Sequence, residues 1–236
     1  MNGEKVRRVL WTGGLDSTFR VCWSLLVDRV DVQPIYVIDP ERRSTQRELE
    51  TMSKMRGLLE TRVTAKLLPT VIYNRADFPV PSHIQRAFEK IRRKVHIGSQ
   101  YQWLAALAEA LGWKDVEMCL HLEAAGTAPW KDLVFAEWPS PELRDSEEAQ
   151  LFRYWSFPLL HLTKTEMLEE ARSHGFEDIL RMRWFCHRPV GALACGRCTP
   201  CRQARQEQAT LGVKFAPAPI SWLHRTLERS GLLTSS

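Results

Sequence analysis

At 236 residues with 44% apolar composition, the chain is long enough for one substantial core, so a single α/β domain with an appendage is expected. Its net charge of +5 and pI near 9.0 suit a protein that handles anions. No apolar run reaches membrane-spanning length, and Met1–Lys5 lacks the apolar core of a signal peptide. A cytoplasmic setting follows, in which six cysteines point to metal binding or buried thiols rather than a disulfide framework.

In chain order, Val6–Trp11 is an apolar-rich run of strand length that breaks at Gly13-Gly14 and resumes at Leu15 with helical spacing through Trp23. A strand, a tight glycine turn and a helix N-terminus make an anion site, because glycine lets the backbone approach an oxyanion and the first helical N–H groups point at it. A plain glycine turn is the competing reading. The Lys-Ser/Thr ending of a Walker loop is missing, which excludes an ordinary P-loop. Val32–Ile38 reads as a second buried strand. A helix follows from Ser44 to about Thr61, opened by a capping box of Thr45 and Glu48, with Leu49, Met52, Met55 and Leu59 on one face. Thr64–Val71 fits a third strand and Arg75–Pro81 a loop. The basic run Arg86–His96 reads as a solvated helix face, since no aromatic interleaving supports base stacking; nucleic acid is not an expected partner.

A further helix starts after Gly98, with Ser99 and Gln102 as a second capping box, and ends at Gly112; Asp115–Leu120 gives a fourth strand. Glu123–Gln150, with weak periodicity, prolines and clustered acids, reads as a long loop or lid. Trp155–Leu160 is a fifth short strand, and a third capping box, Thr163 and Glu166, opens a helix to about His174. This alternation implies a doubly wound, parallel five-stranded sheet of Rossmann-like kind, with ligands at the carboxyl ends of its strands. The whole chain, 1–236, is expected to be one domain, with a zinc-binding subregion at 184–211 and a tail helix at 212–236. The apolar face of that tail helix around Trp222, Leu223 and Leu227 would close the domain's own core or pair two copies.

Cys186, Cys195, Cys198 and Cys201 form C-x8-C-x2-C-x2-C. The paired short spacings bring thiolates close enough to chelate one ion, and four thiolates suit a closed, structural Zn2+ site. A redox Cys-x-x-Cys and an iron–sulfur cluster stay open as alternatives. Gly196 permits a turn between ligands, and Pro200 fits the first turn of a helix running to about Leu211. His187 is a weaker candidate ligand beside four cysteines. Cys22 and Cys119 read as small core residues.

The loop Thr12-Gly13-Gly14-Leu15-Asp16-Ser17 resembles the pyrophosphate loop of the ATP pyrophosphatases, whose motif is Ser-Gly-Gly-x-Asp-Ser. Together with Phe157–Gln203, which carries a proline-leucine…lysine-x-glutamate stretch and then the cysteines, it resembles the 7-cyano-7-deazaguanine synthase (QueC) family. The resemblance implies an adenine nucleotide alpha hydrolase-like fold and an ATP-dependent carbon–nitrogen ligase. Such an enzyme adenylates the carboxylate of 7-carboxy-7-deazaguanine, releases AMP and pyrophosphate, and adds ammonia or another amine to give an amide and then the nitrile, as in queuosine-type base synthesis. By resemblance, the backbone of Gly13, Gly14 and Leu15 and the hydroxyls of Thr12, Ser17 and Thr18 hold the pyrophosphate of ATP. Asp16 positions Mg2+ or fixes the loop, and Lys164 neutralises phosphate charge; an exposed helix-start lysine is the plain alternative. Zinc in this family is structural, and members commonly form homodimers.

Two segments depart from the family pattern. Gly98–Tyr101 stands where an Arg-Asn pair is usual, and HLEAAGTAPWKDLVFAEW (His121–Trp138) replaces the stretch that builds the acceptor pocket. Glu123, Trp130, Lys131 and Asp132 are candidates for a replacement pocket, with Trp130 alternatively a packed lid residue. The departure leaves open a protein amine as acceptor, as in relatives recruited to antiphage defence, and a tRNA-modifying ATP pyrophosphatase of the same fold. A non-enzymatic zinc module is the reading from another class.

Overall fold

The computed structural model describes residues 6–123, 128–206 and 212–229. Strands β1 (Arg7–Leu10), β2 (Val32–Ile38), β3 (Val71–Asn74), β4 (Val116–Glu117) and β5 (Trp155–Ser156) form an all-parallel sheet in the order β3-β2-β1-β4-β5. The chain therefore builds outward from β1 in one direction and then in the other. At such a reversal the connections leave opposite faces and open a crevice beyond the strands' carboxyl ends.

The helices are α1 (Leu15–Cys22), α2 (Thr45–Glu60), α3 (Ser82–Lys94), α4 (Gln100–Ala110), α5 (Lys131–Val134), α6 (Lys164–Ser173), α7 (Glu177–Arg181), α8 (Thr199–Gln206) and α9 (Ala218–Arg229), with a π-helical turn, Trp23–Val27, extending α1. Side-chain alternation along β2 explains the layering. Val32 and Tyr36 join a core with Phe19, Met55, Met167 and Leu180 from α1, α2, α6 and α7. Ile35 joins a second core with Phe88, Ile91, Ala105 and Leu107 from α3 and α4. Apolar packing thus covers both faces of the sheet.

Several elements differ from expectation. The third strand begins at Val71 rather than Thr64. Leu67 makes one bridge to Val32, but Pro69 has no N–H to continue the ladder, and the Arg56 guanidinium donates to the carbonyls of Leu67 and Leu68, both at 2.8 Å. Of the three capping boxes only Thr163–Glu166 forms, with reciprocal contacts of 2.7 and 3.2 Å. Glu48 instead accepts from Ser44 Oγ at 2.5 Å and Tyr36 Oη at 2.9 Å, and the Gln102 side chain turns to Gln85. β4 and β5 shrink to two residues each.

The described part of the supposed lid is packed, not open: Trp130, Val134, Phe135 and Ala149 are buried, α5 lies within it, and a 3-10 turn at Glu148–Phe152 begins at its end. The basic run sits on α3, where Ile84, Ala87, Phe88 and Ile91 face inward while Lys90 and Lys94 pair with Glu147 and Glu148. Trp222 and Leu223 on α9 stay more than half exposed, so they do not close the core; the Leu227 side chain lies outside the described residues. The predicted end of the helix after Pro200, at 207–211, and the last tail residues, 230–236, also lie outside them.

The two loop glycines have different reasons to be glycine. Gly13 has φ +69°, and a Cβ there would also lie 3.4 Å from Met52 Cγ and Thr51 Cγ2. Gly14 has an ordinary φ of −74°, and a Cβ would meet only Thr12 Oγ1 at 3.5 Å and the Trp184 carbonyl at 3.8 Å. Gly13→Ala should therefore lower unfolding free energy by about 1–2 kcal/mol, the cost of a left-handed non-glycine residue. Gly14→Ala should leave it nearly unchanged; urea unfolding of both variants checks the contrast.

Candidate functional site

The glycine turn leaves β1 at its carboxyl end and delivers the chain into α1, whose N-cap, Gly14, has no side chain to satisfy the first-turn N–H groups. Those groups and the positive end of the helix are therefore presented outward. Thr12, Gly14, Leu15 and Asp16 line a cleft of about 190 Å3, together with Lys164, Arg42, Glu48 and Arg183. Ser17 and Thr18 turn elsewhere. Ser17 Oγ accepts from Thr12 N at 3.4 Å, while the fully buried Thr18 hydroxyl accepts from Trp11 Nε1 at 3.0 Å and contacts Met55 Sδ. The loop's own hydroxyl on the cleft is thus that of Thr12.

Lys164 comes to the cleft from the first turn of α6, half-buried rather than projecting into solvent. Asp16 meets it from α1. Burial alone would raise the Asp16 carboxyl, but Lys164, His121 and Lys131 outweigh burial and hold it well below the usual carboxylate range. Its Oδ2 lies 3.3 Å from His121 Nδ1, whereas its buried Oδ1 has no hydrogen-bond partner among the described residues. An ionised carboxylate with one oxygen unclaimed in a cleft suits a cation or a donor on a ligand.

From His121 the charges continue to Glu123 and Lys131. His121 Nε2 is 3.9 Å from Glu123, and Lys131 Nζ lies 3.6 Å from Glu123 and donates to the His121 carbonyl at 2.8 Å. Lys131 is buried, its ammonium 4.2 Å from the Trp138 ring centroid. Burial pushes its pKa down, with Glu123 and Asp16 opposing. Trp130 stacks on Phe152, centroids 5.1 Å apart, and tilts against Tyr101 at 4.9 Å. Tyr101, Trp130 and Lys131 thus form one packed unit that reaches Asp16 through Glu123 and His121. Trp130 serves as its core, and Asp132 is not among the cleft-lining residues.

The four cysteines come together as expected from their spacing: their Sγ atoms all lie within 4.8 Å of one another, and Cys195–Cys201 and Cys186–Cys198 are both 3.9 Å apart. A tetrahedron with metal–sulfur bonds of about 2.3 Å has edges of about 3.8 Å, so the quartet can hold a single metal ion such as zinc. Backbone N–H groups of Cys195, Arg197 and Cys198 point at Cys186 Sγ and Cys195 Sγ, at 3.2 to 3.4 Å, which stabilises thiolates. Gly196, at φ +72°, makes the turn; a Cβ there would stand 3.0 Å from Arg205. His187 is not part of the quartet, and burial pushes its pKa down to about 4. Cys22 is fully buried and Cys119 half-buried; both are free thiols.

This lobe is fastened directly to the glycine loop. Trp184 N donates to the Gly13 carbonyl at 2.9 Å, Trp184 Nε1 donates to the Cys186 carbonyl at 2.8 Å, and Arg47 packs on the indole while bonding the Ala192 carbonyl. Two cleft-associated residues, His121 and Arg183, have no counterpart in the motif reading. His121 follows the carboxyl end of β4, the position at which a sheet of this topology presents ligand-facing residues. Arg183 is a lone charge in Met182–Cys186, otherwise an apolar run. No family model matches the chain, and no curated protein matches it.

Two outcomes follow. Metal analysis of the purified protein should find about one zinc ion per chain, and Cys198→Ser should lose it. Because the folded Asp16 titrates below its ordinary value of 3.8, its stabilising contribution is complete above that value and disappears as pH falls through the lower one. The stability difference between wild type and Asp16→Asn should accordingly shrink below about pH 4 in urea unfolding across pH.

Proposed function

We propose that the protein is an ATP-dependent ligase that activates a carboxylate by adenylation and passes the acyl group to an amine, with a 7-deazaguanine acid as substrate. The observation that carries this reading is the uncapped start of α1 at the end of β1, faced by Lys164 and by the unclaimed oxygen of Asp16. Helix N–H groups with a lysine beside them suit a departing polyphosphate. The resemblance of Thr12–Ser17 and Phe157–Gln203 to the QueC family supplies the substrate class.

In this reading the substrate carboxylate oxygen attacks the α-phosphorus of ATP, the bond to the bridging oxygen breaks, and pyrophosphate leaves. The loop N–H groups and Lys164 stabilise the charge gathering on that pyrophosphate. Mg2+, when bound, would neutralise phosphate oxygens, and Asp16 Oδ1 is suited to hold it. The amine nitrogen then attacks the acyl carbon, AMP leaves, and the nitrogen sheds a proton. With ammonia, a second ATP activates the amide oxygen, and loss of AMP and protons yields the nitrile. In this reading His121, against Asp16, accepts the amine's proton. The four cysteines fix the wall of the cleft through Trp184 and take no step in the chemistry.

In this reading the unit of Tyr101, Trp130 and Lys131 near Asp16 stands in for the family's acceptor pocket, which favours a departure in the amine used without choosing that amine. A tRNA-modifying role draws less support, because Lys90 and Lys94 of the basic run are paired with Glu147 and Glu148.

Mass spectrometry of the protein with ATP, 7-carboxy-7-deazaguanine and ammonia should show AMP together with the amide or nitrile. Asp16→Asn and Lys164→Met should each slow AMP release by roughly a hundredfold or more. Release of ADP instead of AMP, or no turnover with ammonia or with larger amines, would contradict the proposal.

A further inference from the structure

Arg183 is the residue of the cleft that the fold itself leaves unexplained. It is 2% exposed, and only its Nη1 is spent, donating to the Leu180 carbonyl at 3.0 Å. Its Nε and Nη2 are buried without a hydrogen-bond partner among the described residues. Burial pushes the guanidinium down to about 10, with Asp16 opposing and Arg181 adding to the fall. A methionine of similar length would fill the same space, and a buried cation with unmet donors costs stability unless something else meets them.

Its position says what that partner is. The adjoining residue, Trp184, donates its backbone N–H to the Gly13 carbonyl, and its own carbonyl lies 3.8 Å from where a Gly14 Cβ would stand. Arg183 is thus held in the cleft wall against the glycine turn, in the same cleft as Lys164. The neighbouring Arg42 already faces Glu48, at 3.6 Å. The two unmet nitrogens, Nε and Nη2, form one edge of the guanidinium, the edge that takes two oxygens of one phosphate in parallel.

We infer that Arg183 is a binding residue for the phosphates that leave as pyrophosphate, its Nε/Nη2 edge supplying a two-pronged contact opposite the N–H groups of the glycine loop. The inference rests on the polyphosphate reading of the cleft. An arginine kept unsatisfied in the empty fold exchanges some stability for affinity, because the incoming oxyanion supplies the missing acceptors. Both nitrogens are buried in the cleft wall, so the side chain must turn for that edge to meet a phosphate.

The test uses the full, metal-loaded chain as wild type, Arg183→Lys and Arg183→Met, titrated calorimetrically with inorganic pyrophosphate, AMP and 7-carboxy-7-deazaguanine. Thermal unfolding is recorded with and without each ligand. Both variants should bind pyrophosphate roughly tenfold to a hundredfold more weakly, the loss expected for hydrogen bonds to a charged group. AMP affinity should hold, and the ligand-free Arg183→Met should melt no lower than wild type. Its shift in melting temperature with pyrophosphate should largely vanish. Unchanged pyrophosphate affinity in both variants would overturn the inference, as would a loss confined to AMP or to the deazaguanine acid. A ligand-free Arg183→Met that melts well below wild type would make the arginine structural, and would overturn it too. Wild type that binds neither pyrophosphate nor ATP would remove the polyphosphate reading itself.

Discussion

The hydrogen bond from Trp184 N to the Gly13 carbonyl is the point on which the site depends. Gly13 takes a left-handed conformation, with φ +69°, and its carbonyl accepts from Trp184 N. Trp184 fixes that carbonyl, and with it the turn. Trp184 is in turn fixed by its indole N–H to the Cys186 carbonyl and by Arg47 across its ring. A distant cysteine lobe thereby becomes the back wall of a loop formed at the other end of the chain. The cysteine quartet, which can hold a metal ion, anchors this wall: Cys186 ends the segment Met182–Cys186 that Trp184 ties to the glycine turn.

Electrostatics then divides the cleft. Asp16 stays ionised although burial opposes it, because Lys164, His121 and Lys131 surround it. The same carboxylate keeps Arg183 and Lys131 from losing still more of their affinity for protons. Buried charges of both signs sustain each other here, with Asp16 Oδ1 and two nitrogens of Arg183 left over. Such leftovers are rare in folded proteins because each costs free energy, and they gather where a ligand supplies the missing partner.

Much of this organisation was legible in the residues. Val32–Ile38 could be read as a strand because both its faces are apolar, and Thr163–Glu166 could be read as a capping box because nothing nearby competes for Glu166. The Thr45–Glu48 box failed for the opposite reason: the buried Tyr36 hydroxyl and Ser44 claimed the Glu48 carboxylate, a tertiary event invisible to local pattern. The extent of β3 turned on Pro69 and Arg56, and the packed state of 128–150 on aromatic contacts between segments far apart in sequence. At the site, the cysteine quartet was legible because spacing alone brings its sulfurs together. His121 and Arg183 were not, because nothing local marks a histidine after a strand as paired with Asp16, or an arginine in an apolar run as buried in the cleft wall. Thr18, by contrast, belongs to the motif by position and to the core by contact.

The most direct test of a metal-clamped cleft wall is calorimetric titration of pyrophosphate into zinc-loaded protein and into the same protein stripped by a chelator, under conditions where circular dichroism shows the sheet intact. The account predicts that stripping weakens pyrophosphate binding at least tenfold and that restoring zinc recovers it. Equal affinity with and without the metal would contradict the claim that the cysteine lobe holds the site together.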